Sequence, residues 1–248
     1  MKPNLRIAGW SGVIAGIGLA IEGALWSLSG WTPDTFDDPA AAMEFLTDGG
    51  TTLRWAVFAG FVNLAFFVVF VAGLAARLAA RAPTAATATL WFGMIGAATH
   101  LIVPLAHWYG VPAFLDAAQR DPQAAQAAWT AFVTVGHDAA GGAGSLFMGL
   151  AMLTAGWAMV SRRTLPALLG WLGLLTGALT VLTVFAPDTP LSTLAGAAFM
   201  PSLVLAIAFR IWAGLALTRP DPAPRSGASR APDSAAAART RPAARRTP

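Results

Sequence analysis

The chain has 248 residues, of which 56% are hydrophobic and 11% charged, with a mean hydropathy of +0.60 and no cysteine. Its apolar residues fall in long runs without soluble-domain alternation, which marks a polytopic membrane protein, and the lack of Cys excludes disulfides, thiolate metal sites and cysteine nucleophiles. A net charge of +4 and a pI near 10.9 would suit a nucleic-acid binder, but residues 219–248 hold seven Arg and two Asp, which leaves −1 for the first 218 residues, so the basicity belongs to a tail. Fifteen Arg against one Lys, with abundant Ala, point to a GC-rich bacterial genome.

Six apolar runs follow one another at 7–29, 54–76, 88–109, 129–160, 165–186 and 191–217. Each reaches the roughly 20 residues that cross a bilayer core, so the expected fold is all-α, a six-helix transmembrane bundle over 1–218. The first run, behind Met1-Lys2-Pro3-Asn4-Leu5-Arg6, has the outline of a signal peptide; Glu22 inside it and the lack of a small-x-small cleavage site favour a retained helix. The fourth is longer than a span needs, and its first turns are expected at the interface.

Basic residues set the orientation. Lys2 and Arg6, Arg77 and Arg81, Arg162 and Arg163, and Arg219 with the tail fall on one side; the other side has Arg54 and Arg120 among Asp34, Asp37, Asp38, Glu44, Asp48, Asp116, Asp121 and Asp188. By the positive-inside rule both termini are cytoplasmic and the location is a bacterial inner membrane. Of the outer segments, Gly30 to Leu53 is expected to hold a short helix around Ala40 to Leu46. Val111 to Ala128 reads as a surface helix broken by Pro122, and Ala186 to Pro190 as a tight turn. The Arg/Pro/Ala-rich tail 219–248 has nothing to bury and is expected to be disordered, its arginines resting on anionic lipid headgroups rather than on nucleic acid.

A repeat is visible in the helix starts. Gly9-Trp10-Ser11-Gly12 with Gly16, Gly170-Trp171-Leu172-Gly173 with Gly177, and the fainter Trp91-Phe92-Gly93 open the outward helices. Ala72-Gly73-Leu74-Ala75, Ala155-Gly156-Trp157-Ala158 and Ala213-Gly214-Leu215-Ala216 close the returning ones, each followed by Arg77, Arg162 or Arg219. The pattern predicts three similar helical hairpins, with Trp10, Trp91 and Trp171 as interface anchors and the small residues as helix contacts.

Ionisable and amide groups recur at one depth. Glu22, Asn63, His100, His137 and Asp138 each lie about 10 to 14 Å below the outer end of their helices, at 1.5 Å per residue. A charge at membrane depth costs about 2.5–3.5 kcal/mol, so such groups are expected to face one another in a polar pocket of the outer leaflet. Three readings of that layer stay open: a hydrogen-bonded packing plug, a carboxylate–imidazole relay near neutral pH, and a metal or haem held by His100 and His137. His100 and His107 share a helix face, and Pro104 removes the amide that the His100 carbonyl would bond. His107, beside Trp108 and Tyr109, is assigned to the interface. Gly141-Gly142-Ala143-Gly144-Ser145 is read as close helix contact, Pro201 as a kink in the last helix, and Arg210 as a side chain that snorkels to the cytoplasmic headgroups.

Ser161-Arg162-Arg163-Thr164-Leu165-Pro166-Ala167-Leu168-Leu169-Gly170-Trp171-Leu172-Gly173, with Arg6-Ile7-Ala8-Gly9, resembles an uncharacterised bacterial family of six-span membrane proteins, a domain-of-unknown-function group. The resemblance implies a six-helix integral membrane protein and transfers no catalytic residue. The expected function is a non-enzymatic structural, sensory or accessory membrane component with no cofactor, whose partners are the bilayer and a further copy or membrane protein. The alternatives are a small proton-coupled transporter and, behind it, a haem- or metal-binding redox protein. No His-Glu-x-x-His or Gly-x-Ser-x-Gly supports an enzyme.

Overall fold

A computed structural model describes residues 4–30, 38–184 and 190–219, without the side chains of 48 and 49. The described residues are helical throughout the bundle: α1 (Leu5–Leu28), α2 (Pro39–Ala79), α3 (Pro83–His100), α4 (Ile102–Arg120), α5 (Pro122–Ala131), a π-helical segment (Phe132–Ala139), α6 (Ala140–Arg162), α7 (Ala167–Leu182) and α8 (Ser192–Thr218). The expected turn at 186–190 and tail beyond Arg219 lie almost wholly outside the described residues, as does 31–37 of the first outer segment.

Two boundaries differ from the sequence reading. The short helix expected at 40–46 is the opening of a 41-residue helix that runs unbroken into the second apolar run. Asp38 starts it by accepting from the amides of Ala40 and Ala41, with Pro39 in the first turn, where its missing N–H is no loss. The third run does not stop near 109: α3 ends at His100, and after Leu101 the chain continues as α4 to Arg120. Pro104 lies just past that break. Asp121 then accepts from the amides of Gln123 and Ala124 and begins α5 at Pro122.

Six of these helices close a ring. Each of α1–α2, α2–α3, α3–α6, α6–α7, α7–α8 and α8–α1 is a packed neighbour pair. The core between them is built from Phe67, Phe70, Leu74, Met152, Met159, Phe209 and their neighbours. A second cluster, with Leu46, Leu53, Val111, Trp129 and Val133, joins the start of α2 to α4 and α5 at the end away from the chain termini. We call this the capped end. At the terminal end, Arg81 Nη1 donates to the Arg163 carbonyl at 2.9 Å and ties two helix turns together; Arg163 itself sits at φ 49°, where α6 stops.

Helix contacts rest on glycine. A Cβ on Gly214 would lie 2.5 Å from the Gly9 carbonyl oxygen, one on Gly156 2.7 Å from that of Gly170, and one on Gly177 2.6 Å from that of Gly149. Backbones therefore touch at α1–α8 and α6–α7. The side facing out is the reverse of a soluble helix. Along α1, Ala8, Gly9, Gly12, Ala15 and Gly16 are buried while Ile7, Trp10, Ile14, Ile17 and Ile21 are exposed. Large apolar side chains turned outward over small ones turned inward suit lipid, and no contiguous surface of this kind is stable in water. Five helical stretches, Leu5–Leu28, Gly50–Ala79, Pro83–Arg120, Pro122–Arg162 and Ser192–Thr218, are long and apolar enough to cross a membrane; α7 is an apolar helix of 16 residues.

Candidate functional site

Besides the Thr89–Thr154 hydroxyl pair between α3 and α6, the hydrogen-bonded ionisable groups of this apolar ring gather in two places. The first joins three helices. Asn63 of α2 donates through Nδ2 to Glu22 Oε2 of α1 at 3.0 Å, and its Oδ1 accepts from Arg210 Nη1 of α8 at 2.5 Å. One amide thus stands between a carboxylate and a guanidinium, with a donor for the first and an acceptor for the second. Asn63 and Arg210 are each 3% exposed, whereas Glu22 is half-buried. Gly60 makes room for that carboxylate, since a Cβ there would meet Glu22 Oε1 at 2.8 Å. The guanidinium lies over the Phe67 ring, 4.5 Å from its centroid, and its Nη2 faces the Met148 sulfur of α6 at 4.0 Å.

The snorkelling expected for Arg210 is therefore wrong. Its helix presents Ala206, Phe209, Arg210, Ala213 and Leu217 to the core at helical spacing, so the side chain leaves the backbone on the buried face. That spacing is legible in the sequence itself. Arg210 Nε has no partner among the described residues.

The second place is near the capped end. His137 Nδ1 is 3.0 Å from Asp138 Oδ1, within the π-helical segment. The rings of His137 and His107 meet edge to face at 5.7 Å, and His107 also contacts Phe132 at 5.1 Å and Trp26 at 5.5 Å. His107 is 3% exposed and donates through Nδ1 to the Val103 carbonyl at 2.9 Å, so its ring is packed inside the protein and not on its surface. Pro104, His107 and Val111 form the buried face of α4, and the same face takes His107 inward. Its Nε2 has no partner among the described residues.

Of the five residues expected in one pocket, Glu22 and Asn63 are bonded to each other, and His137 and Asp138 are bonded to each other in the second cluster. His100, at the end of α3, lies against α6, where a Cβ on Gly144 would be 2.6 Å from its own Cβ, and it is within electrostatic reach of both Arg210 and His137. It stands between the two groups, its Nδ1 without a partner among the described residues. The side chain of Asp138 is 64% exposed. Among the described residues, no three His, Asp or Glu side chains converge as a set that could hold a metal ion. Trp10 and Trp171 are exposed near the starts of α1 and α7, and Trp91 is exposed midway along α3.

An all-helical bundle with outward isoleucines, inward glycines and a buried Arg–Asn–Glu chain is a multi-pass membrane protein. The chain belongs to the family described as Domain of unknown function (DUF4386), whose model matches residues 14–213. Comparison with curated proteins and with solved structures found no match.

Proposed function

We propose that the protein is a six-span component of the bacterial inner membrane, non-enzymatic and structural, sensory or accessory in role, with both termini cytoplasmic and its polar groups toward the outer leaflet. The observation that carries the reading is the Asn63 amide held between Glu22 and Arg210. Every strong bond in that group runs between helices of the same chain, which is what a lock on helix register requires. Charges at this depth are tolerated when paired, and here one neutral amide serves both.

Six spans are supported by the closed ring, in which α7 occupies a full position despite rising only about 24 Å at 1.5 Å per residue. The three-hairpin reading is supported by equivalent contacts: Gly9 and Gly12 of α1 meet Gly214, Gly170 and Gly173 of α7 meet Gly156, and Gly93 of α3 meets Val71 beside Gly73. In the first two cases the start of an outward helix rests on the end of a returning one; Gly93 makes its contact midway along α3. Arg6, Arg77, Arg81, Arg162 and Arg163 belong to the terminal end, consistent with a cytoplasmic face.

The cysteine-free chain suits a labelling test. Lys2→Cys and Ser226→Cys should react with a membrane-impermeant maleimide only after spheroplasts are broken, and Asp121→Cys while they are intact; the reverse pattern sinks the orientation. A proton-coupled carrier is the second reading, favoured by the half-buried Glu22 carboxylate beside two fully buried partners. In vesicles with an imposed pH gradient, the carrier requires proton flux that Glu22→Gln abolishes. The locking role requires no such flux and a less stable Glu22→Gln bundle.

A further inference from the structure

The halves of α2 and α4 near the capped end border a cavity of about 270 Å³, which His107 of the second polar cluster lines at one point and the Arg210 group does not reach. That is space for about nine waters at roughly 30 Å³ each, too little for a whole lipid and enough for a short acyl segment. Its walls include Val57, Val111 and Leu115, with Arg54 also lining it. Arg54 is exposed, so the cavity offers a wall that is mainly apolar, with His107 and Trp108 also lining it, and one accessible cation. Among the described residues Arg54 has no carboxylate partner, whereas Arg120, the other arginine at this end, is held by Asp116.

Position narrows the ligand. Trp55, Trp108 and Tyr109 are exposed around the same helices, at 60%, 43% and 71%, which is the aromatic belt of a headgroup layer. The surrounding surface is acidic, with Asp38, Glu44, Asp116 and Asp121 exposed. A small anion free in solution is repelled by that surface. An anion that arrives on an apolar chain is drawn in by burial of the chain, and a guanidinium matches a phosphate bidentately.

We propose that this cavity binds one anionic phospholipid, with its phosphate on Arg54 and the upper part of an acyl chain among Val57, Val111 and Leu115. The site is separate from the Arg210 group and holds whatever that group does.

The test uses the full chain reconstituted into vesicles of phosphatidylcholine, alone or mixed with phosphatidylglycerol, and counts retained lipid by native mass spectrometry. One phosphatidylglycerol should stay bound. Arg54→Gln should weaken its retention by roughly tenfold or more, as expected for loss of a charge-assisted hydrogen bond. Gly50→Leu should also displace it, because Gly50 lines the cavity and a Cβ there meets nothing within 4 Å, so the leucine fills the space without moving the backbone. Thermal melts establish that both variants are folded. Equal retention by the variants and the native chain overturns the proposal, as does equal retention of phosphatidylcholine. Displacement of the bound lipid by inorganic phosphate alone identifies a free-anion site and overturns it too.

Discussion

Arg210 Nη1 donates to Asn63 Oδ1 at 2.5 Å, joining the last helix to the second across 147 residues of chain. Asn63→Leu keeps the volume and removes both halves of the bridge, leaving a carboxylate and a guanidinium without their amide. The expected loss is about 3 kcal/mol, from two hydrogen bonds to charged groups. Glu22→Gln together with Arg210→Met removes both charges and should cost clearly less than the two single changes summed, by more than about 0.5 kcal/mol. Denaturant titration in detergent of the four chains of that cycle checks it; strict additivity would show that the residues act independently.

Backbone contact between α1 and α8 makes a second expectation. Gly214→Ala places a methyl group 2.5 Å from the Gly9 carbonyl oxygen and 2.9 Å from the Val13 amide nitrogen, so the helices must part. The cost should be about 1–3 kcal/mol. Gly196→Ala, in the same helix, meets nothing within 4 Å and should gain up to about 1 kcal/mol from helix propensity. The two melting temperatures should move in opposite directions.

His107 holds three aromatic contacts through its ring and leaves Nε2 without a partner among the described residues. His107→Phe keeps the contacts, discards the unpartnered nitrogen and gives up the Nδ1 bond to the Val103 carbonyl, so the change in stability should stay within about 1.5 kcal/mol. His107→Ala empties the space and should cost about 3 kcal/mol. If phenylalanine proves as damaging as alanine, the imidazole has a role beyond packing.

Tryptophan position can be read optically. Trp10, Trp91 and Trp171 are 57–59% exposed, whereas Trp129 is fully buried. In vesicles whose lipids carry bromine near the headgroup, replacing any of the first three by Phe should remove strongly quenched emission. Trp129→Phe should remove emission that bromine barely touches. Quenching by bromine at the chain ends instead would place these rings away from the interface.

The helical character of the chain was legible because apolar runs of this length have one backbone solution in lipid. The small-residue pattern was legible for the same reason: Gly9, Gly156, Gly170 and Gly214 recur where helices touch. Side-chain direction was harder. For Arg210 and His107 the apolar residues three and four positions away mark the helix face as buried, which distance along the helix does not reveal. Depth along a helix can be counted from sequence, but azimuth depends on which neighbour the face meets. For that reason the carboxylate–imidazole pairing stayed one of three open readings for Glu22, which accepts from Asn63. In the first outer segment the short helix expected at Ala40 to Leu46 is instead the opening of a helix that runs on through Gly49-Gly50 into the second apolar run.

The Glu22–Asn63–Arg210 chain also bears on biogenesis. A nascent polypeptide emerges from its amino end, so the acid of the first helix enters the bilayer 188 residues before the arginine exists. At about 5–20 residues per second that interval is roughly 10–40 s. Until then only Asn63 can satisfy Glu22, and the arrival of the final helix brings the cation that completes the arrangement. Truncated products lacking α8 would carry an uncompensated acid in the membrane, a chemical mark by which quality control could tell an unfinished chain from a finished one.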